Sequence, residues 1–133
     1  MSNRSVGNAF EQELCELLFE QGFWAHNLKQ DNSGQPADVI AVRNKVAYLI
    51  DCKDCSTKKG FDLRRIEENQ ELAMALWFGC GNGQGWFAIK ISNEIYMVDF
   101  PTMKHFASIR GSLQYEQLSY IGMPLGEWVK KCK

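Results

Sequence analysis

The sequence predicts a mixed α/β domain in which helices flank a central mixed β-sheet. Two periodicities and their order along the chain predict it. Phe10, Leu14, Leu17 and Leu18 recur at helical spacing near the start, whereas residues 46–53 and 86–91 are short runs rich in β-branched and aromatic side chains. The order is helix, three strands, helix, two strands and a tail, which is that of a mixed α/β domain.

The first helix is expected over residues 8–21, with Gly22 as its stop. At about 100° per residue, Glu13, Glu16 and Glu20 fall on its polar side. Glu11 falls beside Leu18, at the border of the apolar stripe. A short strand follows at 23–28. Residues 29–37 are polar, contain Gly34 and Pro36, and read as a loop. Strands at 38–42 and 46–53, joined tightly through Arg43 and Asn44, make a hairpin. A basic loop at 58–60 leads to a long helix over 61–77, with Ile66, Gln70, Ala73 and Trp77 along one stripe. Residues 79–85 alternate glycine with other residues and form a loop. Strands at 86–91 and 95–98 turn through Ser92, Asn93 and Glu94. Pro101 is placed to open a short helix, and 124–132 is a candidate for another.

At 133 residues, with 45% hydrophobic and 23% charged side chains, the chain reads as one folded domain over 1–133. No apolar run approaches the ~20 residues that span a bilayer, and the polar start lacks a signal-peptide stretch, so a cytoplasmic protein with no membrane partner is expected. The five cysteines (15, 52, 55, 80 and 132) are odd in number and irregularly spaced, which suits reduced thiols. Cys52 and Cys55 lack a second ligand pair for zinc. The net charge of −1 excludes a uniformly basic coat but leaves room for a local patch. From Arg43 to Arg65 there are seven cations against three acids. A solvated face is the plain reading of such a run. His26 and His105 are isolated and read as structural.

The chemistry concentrates on the hairpin. Asp51 and Lys53 stand two apart on one strand, so they project from one face, and Asp38 enters the neighbouring strand. Carboxylates that converge repel unless a cation sits between them. An oxygen-ligated divalent ion, Mg²⁺ in particular, is the natural partner, and a lysine beside it suits metal-assisted phosphodiester hydrolysis. Spacing alone also allows Asp51 and Lys53 to be strand-end surface charges.

More of the chain fits a family. Gly7-Asn8-Ala9-Phe10-Glu11-Gln12-Glu13-Leu14 resembles a G-x-x-x-E-x-E-L opening. Pro36-Ala37-Asp38-Val39-Ile40-Ala41 resembles P-D-[IV]-[IV]-A with one residue inserted, and Asp51-Cys52-Lys53 stands for [DE]-x-K. Phe61-Asp62-Leu63 and the segment that ends in Gln70, then Gly85–Ile89 and Ile95–Val98, continue the likeness to about residue 100. Together these resemble the PD-(D/E)xK nuclease superfamily, and within it the Holliday junction resolvases of the Hjc and RecU types. The second acid is aspartate rather than the commoner glutamate, which is one methylene longer.

The resemblance implies a restriction-endonuclease-like core and a Mg²⁺-dependent endodeoxyribonuclease for which Mn²⁺ substitutes. It implies branched DNA, a four-way junction above all, as substrate. Symmetric cutting of a junction calls for a C₂ homodimer. The implied metal ligands are Glu11, Asp38, Asp51 and the Cys52 carbonyl. Lys53 would orient or activate the attacking water, and Gln70 would support it. Ser33, in a serine-glycine loop, would touch the scissile phosphate. Lys58, Lys59, Arg64 and Arg65 would grip DNA phosphates without reading sequence. A repair or restriction-type nuclease on the same fold, and a DNA-binding protein that does not cleave, are the alternatives. The compact size suits a phage or mobile-element protein.

Overall fold

The structure is a computed structural model and describes residues 3–28, 37–55 and 60–133, with side chains from residue 9 onward. Ser33, Lys58 and Lys59 lie outside the described residues. Helix α1 runs Asn3–Glu20, and β1 follows at Trp24–Asn27. The hairpin is β2 at Val39–Arg43 and β3 at Val46–Asp54, turned through Asn44 and Lys45, both at positive φ. Next come β4 at Gly60–Asp62, a 3₁₀ turn at Leu63–Arg65, and α2 at Glu68–Gly79. Strands β5 (Trp86–Ile91) and β6 (Glu94–Asp99) form a second hairpin. Helix α3 (Phe100–Ile109), β7 (Ser112–Gln114), α4 (Tyr115–Ile121), β8 (Met123–Pro124) and α5 (Leu125–Lys131) complete the chain.

Six strands form a mixed sheet in the order β1-β2-β3-β5-β6-β8. All its pairings are antiparallel except β3 with β5. That parallel pair needs a crossover, and the segment from β4 through α2 supplies it. Each face of the sheet buries its own core. On one, Phe10, Leu14 and Leu18 of α1 and Trp128 of α5 pack on Val39, Ala41, Ile50 and Ala88. On the other, Met74 of α2 and Phe100 and Met103 of α3 pack on Leu49, Phe87 and Ile89. Successive side chains of β3 thus enter opposite cores, as the strand period requires.

Trp128 stacks on Phe23 with ring centroids 5.8 Å apart and meets Tyr48 edge-on at 5.1 Å. The Arg43 guanidinium lies 4.3 Å over the Phe23 ring. It donates to the carbonyls of Gln21 (2.9 Å), Val129 (2.8 Å) and Cys132 (3.0 Å), so one side chain ties together the C-terminal ends of α1 and α5.

The helix expected over 61–77 is corrected at its start. Phe61 instead pairs with Leu113 in a separate two-stranded sheet, β4–β7, and both side chains are fully buried. The Asp62 side chain accepts from the Arg64 N–H at 2.9 Å and sets the 3₁₀ turn. Ile66 is extended, and α2 begins only after Glu67. Strand β7, α4 and β8 occupy the stretch that the sequence presents as a tail. Among the described residues, no helix is long and apolar enough to cross a membrane.

Candidate active site

Strand β3 outruns its neighbour. Strand β2 begins at Val39, opposite Ile50, whereas β3 continues to Asp54 with β5 as its partner. Beyond Ile50 the β2-side edge of β3 would expose unpaired backbone groups. Asp38 fills that place. Its N–H donates to the Ile50 carbonyl at 3.1 Å, and its Oδ2 accepts from the Cys52 N–H at 2.7 Å. A residue's N–H and C=O leave a strand on the same side, so the Cys52 carbonyl points to this same edge.

Asp51 and Lys53 share the face of β3 that carries Leu49 and Cys55 into the α2-side core. Gln70, on the first turn of α2, joins them. Its Nε2 donates to Asp51 Oδ1 at 3.2 Å, and its Oε1 accepts from Lys53 Nζ at 3.2 Å and from the Glu67 N–H at 3.1 Å. One side chain therefore starts the helix and holds the aspartate and the lysine together. Lys53 Nζ lies 3.3 Å from Asp51 Oδ2. That spacing is an ion pair, and apart from it Asp51 Oδ2 is buried with no partner. Glu11 approaches from α1 and shares a hydrogen bond with Asp38.

Among the described residues, the buried polar and charged side chains are these four: Glu11 (9% exposed), Asp38 (8%), Asp51 (0%) and Lys53 (8%). Burying isolated charge is strongly unfavourable, so a fold that buries four together has a use for the cluster. Three carboxylates face one ammonium group. Burial first, then repulsion from Asp38 and the hydrogen bond to it, pushes the Glu11 carboxyl up to about 8, against the pull of Lys53. Burial likewise holds Asp51 well above the usual carboxylate range, helped by its hydrogen bond to Asp38 and opposed by Lys53. The cluster therefore favours an added positive charge between these groups.

Among the described residues, no three His, Cys, Asp and Glu side chains already stand as a metal-ligand set. The carboxylates are drawn to one another and to the Cys52 N–H. The donors still fit a hard divalent cation. They are all oxygens, one of them has no hydrogen bond, and burial raises the affinity of Glu11 and Asp51 for added positive charge. The Cys52 thiol is no part of this set. It faces the α1-side core, where burial raises its pKa well above that of a free thiol.

The basic residues divide. Arg64 is 87% exposed and forked onto Asp62. Arg65, expected on the DNA-facing surface, is half-buried and turned to the fold. Its Nη1 donates to the Asp54 carbonyl at 3.3 Å and lies 3.2 Å from Cys55 Sγ. The sequence reading passed over Lys90, which pairs with Glu13 at 2.6 Å on the α1 side. Its signal was the polar residue between Ile89 and Ile91 in an otherwise apolar strand.

The chain matches the family model for the archaeal Holliday junction resolvase (Hjc) over residues 2–132. Among solved structures it is similar to Archaeoglobus fulgidus Hjc, a Holliday junction resolvase from an archaeal hyperthermophile, with a TM-score of 0.71 and 15% identity. That alignment covers 92% of this chain and 99% of the other, and at this identity it speaks for the fold. No curated protein sequence matches the chain.

Proposed function

This chain belongs to the archaeal Holliday junction resolvase family and is a junction-resolving nuclease, and from that premise we propose that it hydrolyses phosphodiester bonds of four-way DNA in a Mg²⁺-dependent reaction centred on Glu11, Asp38, Asp51 and Lys53. The observation that carries this reading is the burial of those four ionisable groups in one cluster, with Gln70 bridging Asp51 and Lys53.

Glu11, Asp38, Asp51 and the Cys52 carbonyl would hold the metal, for which Mn²⁺ would substitute. When bound, the cation supplies a Lewis acid for the phosphoryl oxygen and a more acidic water. Lys53 orients the attacking water and offsets the negative charge that grows on the phosphate. Gln70 fixes the direction of the Lys53 ammonium and holds Asp51 through Oδ1. Ser33 contacts the scissile phosphate, and Lys58, Lys59 and Arg64 contact the flanking DNA.

A homodimer places two such sites about a twofold axis, as paired cuts in a four-way junction require. The exposed face of α2 suits that contact: Leu72 and Leu76, one turn apart, are 64% and 69% exposed.

Cleavage assays on duplex, flap and four-way substrates test the reading. Metal-dependent cutting of the four-way substrate in preference to duplex is expected. Tight binding to the junction with no cleavage of any substrate would overturn it.

A further inference from the structure

The six-stranded sheet ends in two edges, β1 and β8. Edges that are not meant to pair are commonly very short, or carry proline or lysine. The β8 edge is two residues long and includes Pro124. The β1 edge, Trp24-Ala25-His26-Asn27, has neither proline nor lysine. Leu28, just beyond β1, donates its N–H to the Asp38 carbonyl at 2.8 Å, on the β2 side. Backbone groups alternate sides along a strand, so Trp24 and His26 also face β2, and the N–H and C=O of Ala25 and Asn27 face outward. Among the described residues, no backbone group pairs with these outward ones.

The surfaces on either side of this edge are apolar. On the α1 side, Cys15, Phe19 and Ala25 floor an open groove of about 420 Å³, rimmed by Glu16 and Glu20. Phe19 is 71% exposed. On the opposite face Trp24, 60% exposed, stacks on His26 with ring centroids 5.8 Å apart. A strand laid along β1 sets alternate side chains toward the groove and toward that stack.

Charge selects the occupant. Glu16 and Glu20 are exposed, and among the described residues neither enters an ion pair. They repel DNA phosphates. A second copy paired β1 to β1 about a twofold axis would bring its own Glu16 and Glu20 alongside these, so like charges would meet. A chain with lysine or arginine at every second position has the opposite character. Its aliphatic stems cover Phe19 while its cations reach the two carboxylates. We propose that the free edge of β1 takes up an extended basic segment of a partner protein as an added strand, with the cationic side chains over the α1 groove and apolar ones on Trp24 and His26.

Titration of the full chain with an octapeptide of alternating lysine and valine, read by affinity and by amide hydrogen exchange, tests the proposal. The peptide is expected to bind and to slow exchange of the Ala25 and Asn27 amides by about tenfold or more. An octapeptide of alternating glutamate and valine is expected to bind about tenfold more weakly, and the difference to shrink as salt is added. Glu16→Lys/Glu20→Lys is expected to reverse the preference. Asn27→Pro removes one outward N–H at an exposed residue without touching the β2 ladder, and is expected to lose the peptide. Thermal melting checks the fold of each variant, and the charge-reversed chain keeps the test decisive if the proline variant melts early. Equal affinity for the two peptides, no protection at Ala25 and Asn27, or wild-type affinity in a folded Asn27→Pro overturns the proposal. Protection of both amides that grows with protein concentration in the free chain assigns the edge to a second copy, and protection by a four-way junction assigns it to DNA. Either result also overturns it.

Discussion

Replacing Glu11 by glutamine isolates the electrostatics of the cluster. The variant keeps the size of the side chain and a hydrogen bond to Asp38 but removes a titrating carboxyl. In the folded chain that carboxyl rises from 4.5 to about 8. Between those values the folded state holds a proton that the unfolded chain has released, so metal-free stability falls as pH rises. The contribution is complete below 4.5 and is lost as pH passes through about 8. At about 1.4 kcal/mol per unit the upper limit is about 5 kcal/mol, and solvent screening reduces it to about 2–4 kcal/mol. Urea unfolding in EDTA from pH 5 to pH 9 reads the difference. The wild type is expected to lose that much stability relative to Glu11→Gln across the range. Saturating Mg²⁺ is expected to restore the wild type at high pH and to help the variant much less. A wild type and a variant whose stabilities run parallel from pH 5 to pH 9 would refute the placement of Glu11 in a buried carboxylate cluster.

Gln70→Ala removes the bonds to Asp51, Lys53 and the Glu67 N–H together. It is expected to lower stability by about 2–4 kcal/mol in denaturant and to reduce kcat at least tenfold with little change in KM. Wild-type kcat in this variant would detach Gln70 from the site. Arg43→Ala strips the guanidinium from the carbonyls of Gln21, Val129 and Cys132 and from the Phe23 ring. A loss of about 2–4 kcal/mol is expected by thermal or urea unfolding, with cleavage at 25 °C retained. A Leu72→Glu/Leu76→Glu double variant places like charges on the α2 face and is expected to sediment as a monomer, and the wild type as a dimer. A variant that still sediments as a dimer would move the interface off α2.

Elements written in local pattern were legible in the sequence. The apolar spacing of α1, the β2–β3 and β5–β6 hairpins and the Asp99-Phe100-Pro101 start of α3 each carry their signal within a few residues. The β4–β7 pair was not legible, because each strand has three residues and its one buried side chain meets its partner about fifty positions away. The start of α2 misled for a related reason. Its cap residue is Glu67, which is no usual N-cap, and the work is done by Gln70 from within the helix. The extended Ile66 before it is fixed by the turn that Asp62 sets. Within the candidate site, Asp38, Asp51, Lys53 and Glu11 stood out by type and spacing, and the structure brings their side chains together. Arg65 did not follow the same logic, since a run of cations says nothing about which member turns inward to a backbone carbonyl. The role of Asp38 as a surrogate for a missing strand partner required knowing that β3 outruns β2.

Cleavage of a four-way junction labelled in turn on each of its strands, by the wild type and by Asp51→Asn, tests the central claim most directly. With Mg²⁺ the wild type is expected to cut opposed strands in matched pairs, and EDTA is expected to stop it. Asp51→Asn is expected to bind the junction and leave it whole. Cutting by Asp51→Asn at the wild-type rate, or cutting by the wild type in EDTA, contradicts a metal-dependent reaction built on this carboxylate.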